Sequence, residues 1–178
     1  MIPVSITLQN FMSYRAATTV NFQGIRLACL SGDNGAGKSA LLDAMTWAVW
    51  GKARVSQDRQ LIALGADQME VTFVFRLGGH EYRVFRRRST RATLEFETRA
   101  SPDAEWTTLT GDNVRHTERR IVGVLKMDYD TFVNSAFLLQ GKADAFTAKT
   151  PGARKRVLAD ILNLDDYDQL AQMAREQE

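Results

Sequence analysis

Residues 27–45 read LACLSGDNGAGKSALLDAM, and within them GDNGAGKS, residues 32–39, meets every fixed position of the pattern G-x-x-x-x-G-K-[ST]. Each residue type has its own physical reason. Gly32, Gly35 and Gly37 allow backbone angles closed to a side chain, so successive N–H groups can converge on phosphate oxygens. The helix expected after the loop directs its positive end at the same anion. Lys38 brings a point charge to the outer phosphates, and the Ser39 hydroxyl is a hard oxygen ligand suited to magnesium. The positions expected to meet a nucleotide are therefore Asp33, Asn34, Gly35, Ala36, Gly37, Lys38, Ser39 and Ala40, with ATP and Mg2+ as the implied ligands.

The flanks supply the context this pattern requires. IRLACL, residues 25–30, reads as an apolar strand entering the loop, and KSALLDAMTWAVWG places Leu41, Met45 and Val49 at helical spacing before Gly51. Toward the N-terminus, VSITLQNF alternates Val4, Ile6 and Leu8, and TTVNF repeats the period with Val20 and Phe22. Downstream, Met69, Val71, Phe73, Phe75 and Leu77 share one face of a strand that turns at Gly78-Gly79, returns through Tyr82 and Val84, and is extended by ATLEFET. A helix is expected over 112–127, a short helix or turn at DYDTFVN, and a further helix with Thr150 as N-cap and Pro151 at its first position. Tyr167, Leu170, Met173 and Ala174 then fall at the steps of a two-stranded seam. The fold class expected is α/β, with a mixed sheet containing an antiparallel hairpin, a phosphate-loop helix and a C-terminal helix, although a single heptad does not establish a coiled coil.

With 178 residues, 44% apolar and 25% charged, the composition is that of a water-soluble globular domain. The first twenty residues lack the basic start and long apolar centre of a secretion signal, so an intracellular protein that spans no membrane is expected. The single cysteine, Cys29, sits in an apolar run and reads as a small buried hydrophobe. A net charge of +2 says little, but its distribution says more. Arg83, Arg86, Arg87, Arg88, Arg91 and Arg99 crowd two strands, either as a solvated face interleaved with glutamates or as a surface for a phosphate backbone through Arg83, Arg87 and Arg91.

One element is missing. Hydrolysis in phosphate-loop enzymes generally needs an apolar strand ending in Asp or Asp-Glu, to hold magnesium and position water. ILNLDD continues a helical pattern, and GVLKMDYD is interrupted by Lys126. The sequence carries half of an active site.

Several stretches together resemble one family, the SbcC/Rad-fifty group of ABC-type ATPase subunits of the double-strand-break repair nuclease complex. ITLQNFMSYRAATTVNF resembles its opening strand, Asn-Phe-x-Ser turn and second strand, and LSGDNGAGKSALLDAMTWAVWG resembles its phosphate loop and first helix. FVNSAFLLQGKADAFTAKTPGARKRVLADILNLDDYDQL resembles its glutamine loop, the following helix and the passage into a long coiled coil. The resemblance implies an ABC-type ATPase head split into two lobes, with residues 1–163 as the N-terminal lobe and 164–178 as the start of a coiled-coil arm. The C-terminal lobe of the same protein would bring the Asp-Glu pair, and a second copy the signature motif. Gln140 would approach magnesium and the attacking water, and Asn34 would add a polar contact near the outer phosphate. A nuclease subunit of the SbcD/Mre-eleven type and double-stranded DNA are the implied partners, zinc would belong to a hook in an arm outside this chain, and a prokaryotic source would place the protein in the cytoplasm or at the nucleoid. Met12, where a basic residue is frequent, and Lys142, where an acidic one is common, depart from the family pattern, so contacts at these two positions do not carry over. A DNA-tethering protein of the SMC or RecN type shares the split head and arm and is the alternative, distinguished by whether a metal-dependent nuclease accompanies it. A membrane-transport ATPase lacks the ILNLDDYDQL exit.

Overall fold

The computed structural model describes residues 1–55, 57–135 and 150–161, and the chain divides into two compact units, Met1–Val124 and Leu125–Glu178. The first unit is built on one antiparallel sheet of six strands: β1 (Ile2–Gln9), β2 (Thr18–Asn21), β3 (Met69–Leu77), β4 (His80–Arg88), β5 (Ala92–Arg99) and β6 (Thr107–Thr108). Their spatial order is β2-β1-β3-β4-β5-β6. Pro3 lies in a non-edge strand, where its missing N–H would normally break the ladder. The register shifts between Pro3 and Ser5, and this irregularity accommodates it.

Period-two patterning fixes which face of each strand is buried. Ile6, Leu8, Met69, Val71, Phe73, Phe75, Val84 and Phe96 are fully enclosed on the inner face. The register Phe75↔Tyr82 and Tyr82↔Thr98 brings Phe75, Tyr82 and Phe96 into a stack with ring centroids 5.5 and 5.7 Å apart. Burial of each such side chain contributes about 2 kcal/mol. Between β3 and β4, Gly78 and Gly79 both take positive φ, 58° and 85°, as a two-residue hairpin turn twisted with its strands requires.

Helix α1 (Lys38–Trp50) packs on the inner face against β3 and β4, and its buried residues run from Ala40 and Leu41 to Trp47, Ala48, Val49 and Trp50. Gly51 ends it in the left-handed conformation, φ 64°, with its N–H donating to the Trp47 carbonyl. The remaining C-terminal carbonyls meet Arg86 of β4, whose Nε donates to Ala48 O at 3.0 Å while Nη1 donates to Glu118 Oε1 at 2.9 Å. A cation at the negative end of a helix is stabilised there. Burial pulls the Arg86 guanidinium pKa down, and the carboxylate of Glu118 opposes that shift. Glu118 stands on α2 (Val114–Leu125), which buries Thr117 and Ile121 and starts at Asn113, whose Oδ1 accepts from the His116 amide.

The outer face of the sheet carries Arg76, Arg83, Arg87 and Arg99. Glu81 is buried there and accepts from Arg76 at 2.9 Å and from Arg99 at 2.6 Å. Burial alone would raise the pKa of its carboxyl, but hydrogen bonds and charge from the two arginines outweigh it, and the net shift is downward. Trp106 packs flat against Arg83 and Arg99, each guanidinium 4.4 Å from the ring centre.

In the second unit, α3 (Tyr129–Ser135) follows an Asp128 cap whose Oδ1 accepts from the Thr131 amide. Helix α4 (Pro151–Ile161) lies against α3 and begins where the sequence places it, with Thr150 Oγ1 accepting from the Ala153 amide. The boundary at 163/164 and the seam residues Tyr167, Leu170, Met173 and Ala174 lie outside the described residues.

One expected element is absent. Residues 25–30 form no strand: Ile25, Leu27 and Leu30 are exposed, Leu27 at 93%, and so is Cys29. An apolar run becomes a strand only where a neighbour satisfies its N–H and C=O groups, and among the described residues nothing pairs with this segment.

Candidate nucleotide-binding site

The phosphate loop runs from this uncovered segment into α1. Gly32, Gly35 and Gly37 have φ of 146°, 86° and 93°, so the three glycines occupy conformations that disfavour any side chain. Gly37 is the N-cap of α1 and provides no side-chain cap, and no acidic residue stands in the first turn. The first turn therefore has no side-chain cap, at the positive end of a helix thirteen residues long. An uncapped, glycine-rich helix start of this kind is suited to an anion such as phosphate. Lys38 Nζ donates to the carbonyls of Gly32 and Asp33 at 2.7 and 2.8 Å, which closes the loop over its own backbone. Ala36 N donates to Asp33 O across the turn, and residues 32–36 are exposed. Ser39 is half-buried and Ala40 buried, at the point where the helix enters the core. Asp33, Asn34, Gly35, Ala36, Gly37, Lys38, Ser39 and Ala40 are thus contiguous on one loop and helix start, while Gln140 lies outside the described residues.

A second segment supports the loop. Phe11 is fully buried and packs on Trp47 of α1, 5.8 Å between centroids, and pairs with both Tyr14 and Ile62 as isolated bridges. Met12 N donates to Leu61 O, and Ala63 N to Asn10 O, so the turn 10–14 is tied to residues 61–63. The Tyr14 hydroxyl donates to Gly37 O at 3.3 Å. Nothing in the sequence alone points to these contacts, because they join segments distant along the chain.

Asp43 also escapes a reading based on the motif. It is a buried carboxylate on α1, and it accepts two bonds from Arg54 Nε and one from Nη2, at 2.6 to 3.0 Å, together with the Arg54 backbone N–H. Hydrogen bonding to Asp43 raises the pKa of the Arg54 guanidinium, against the smaller opposing effect of burial. Asp43 is thereby occupied in anchoring the chain beyond α1.

Of the arginines considered for a phosphate backbone, Arg83 donates to Glu97 at 2.6 Å and Arg87 to Glu70 at 3.1 Å. Arg91 is exposed and makes no ion pair among the described residues. Arg86, counted in the same cluster, points the other way, into the core.

An α/β arrangement in which a glycine-rich loop with lysine and serine opens a helix packed on a sheet defines a P-loop NTPase. A family model described as an AAA domain matches residues 5–178. The chain is 34% identical to the SbcC component of nuclease SbcCD from Deinococcus radiodurans, over 99% of this chain and 20% of that protein. It is also 34% identical to the DNA double-strand break repair Rad50 ATPase of Thermoplasma volcanium, over 93% of this chain and 18% of the relative. The solved structure of the recombination mediator protein RecF with ATP is similar in fold, with a TM-score of 0.50, 16% identity, and coverage of 95% of this chain and 41% of that one. The chain belongs to the SbcC/Rad50 family. It spans about a fifth of the length of the curated relatives it matches.

Proposed function

We propose that this chain is the N-terminal lobe of a split ABC-type ATPase head that binds Mg-ATP and is completed by a C-terminal lobe of the same protein. The observation that carries the reading is the uncapped phosphate loop beside an uncovered apolar segment, with Leu27 93% exposed. A strand donated by another lobe would satisfy the backbone of residues 25–30 and cover Ile25, Leu27 and Leu30. The same lobe would bring the acidic pair that prepares water.

On this reading Lys38 exchanges its bonds to Gly32 O and Asp33 O for the outer phosphates, and the backbone N–H groups of residues 33–40 hold the remaining oxygens. The Ser39 hydroxyl would hold Mg2+, which supplies charge neutralisation between the outer phosphates when bound. Gln140, by its place in the resemblance, orients the attacking water and senses the outer phosphate. A second copy closes over the nucleotide, so that binding favours dimerisation and hydrolysis reverses it. The output is DNA end processing inside the cell with a nuclease partner, and a zinc hook would lie in the arm. The names of the relatives, a component of a nuclease and a double-strand break repair ATPase, support the assignment.

The test is Mg2+-dependent binding of a fluorescent ATP analogue to the chain. Lys38→Ala is expected to weaken binding at least about tenfold, as loss of a charge-assisted contact of about 1.5–3 kcal/mol requires. Equal affinity in the variant, or no binding by the parent chain, would refute the reading.

A further inference from the structure

We propose that the turn at residues 11–14 braces the phosphate loop from the side, with Tyr14 as the positioning residue that holds Gly37 in its nucleotide-ready conformation; the inference rests on residues 32–39 being the nucleotide site. A Cβ placed on Gly37 would come within 2.5 Å of Ser13 Oγ and 2.8 Å of Tyr14 Cε2, so the turn lies directly against the backbone from which α1 starts. Glycine by itself visits positive and negative φ about equally. A flat ring pressed on its α-carbon restricts that choice, and Gly37 sits at φ 93°, ψ 7°. The hydroxyl adds little, since its bond to Gly37 O is long, 3.3 Å, and part-buried.

The brace is itself anchored. Phe11 and Tyr14 exchange backbone bonds of 3.0 and 2.9 Å, and Asn10 and Met12 take φ of 53° and 49°, conformations that hold only where neighbours enforce them. Those neighbours are the Leu61 carbonyl, which accepts from Met12 N, and the Ala63 amide, which donates to Asn10 O. Phe11 meets Trp47, and Tyr14 meets Gly37, ten residues earlier and thus about 15 Å away along the same helix. The four-residue turn therefore touches α1 at its N-terminus and again near its far end, which fixes where the first-turn amides point before any anion arrives. Pre-set donors lower the ordering cost of binding.

Tyr14→Leu and Tyr14→Phe in the full chain test the proposal by two measurements. The first is amide hydrogen exchange without nucleotide, comparing residues 41–45 of α1, the first of which donates to Gly37 O, with the β3–β4 hairpin; the second is affinity for the fluorescent ATP analogue with Mg2+. Tyr14→Leu is expected to speed exchange in 41–45 alone and to weaken binding about tenfold, while Tyr14→Phe stays within about threefold of the parent. Unchanged exchange and affinity in Tyr14→Leu would overturn the brace. So would exchange that rises equally in the hairpin, failure of Tyr14→Leu to fold, or a Phe variant as impaired as Leu. Should the parent chain bind no analogue, the nucleotide reading fails, and the exchange comparison still decides whether Tyr14 holds the loop.

Discussion

Charged side chains in this protein do unlike things at nearby positions of one strand. On β4, Glu81 is buried under Arg76 and Arg99 on the outer face, whereas Arg86 is buried on the inner face against the end of α1. The depressed carboxyl pKa of Glu81 has a definite consequence for stability. A carboxylate whose folded pKa lies below its unfolded value contributes stability that is fully present above the unfolded value, about 4.3 for Glu, and is lost as pH falls through the folded one. Glu81→Gln is therefore expected to be less stable than the parent at pH 7, with the gap narrowing as the solution is acidified below about pH 4; urea unfolding across that range measures it. A gap independent of pH would show that the carboxylate charge is not what matters. The positive φ of Gly32, Gly35 and Gly37 was legible in the sequence, because backbone freedom is a property of the single residue. The burial of Glu81 and Arg86 was not: alternation puts Arg86 on the face of Tyr82 and Val84 and Glu81 on the opposite one, but only the register reveals the partners that let both charges be buried.

Among the elements, α1 bears the site and is held at both ends. Its N-terminus has no side-chain cap, while its C-terminus is closed by Gly51 and by Arg86. Arg86→Met would leave the Ala48 carbonyl and Glu118 without their donor inside the protein. A loss of about 3 kcal/mol is expected, read as a lower urea midpoint at unchanged slope; a midpoint equal to the parent's would mean that water replaces the guanidinium without cost. The hairpin of β3 and β4 could be read directly, because Gly78-Gly79 and the alternating apolar residues specify turn and register together. Residues 25–30 could not. Their apolar run is the same signal that a buried strand gives, but a strand also needs a partner, and local sequence carries no information about one. The expectation of a buried Cys29 failed for the same reason.

At the scale of the first unit, the described residues form a six-stranded antiparallel sheet and an exposed apolar segment, residues 25–30, that leads into the phosphate loop. The expected DNA contact would use Arg83 and Arg87 on the outer face and Arg91 in the turn before β5, the first two of which already pair with glutamates. Replacing all three with Glu is expected to weaken duplex binding by the assembled head by at least about tenfold at low salt, without sequence preference; unchanged binding would remove this surface from consideration. Sheet and loop were legible from patterning, whereas the missing acidic strand could be noticed but not located. The most direct test of the split-site proposal is steady-state ATP turnover by this chain before and after adding the separately produced C-terminal lobe. A rise of at least about a hundredfold on mixing is expected, since removing one group that prepares the reaction commonly costs that much. Equal turnover with and without the second lobe would contradict it.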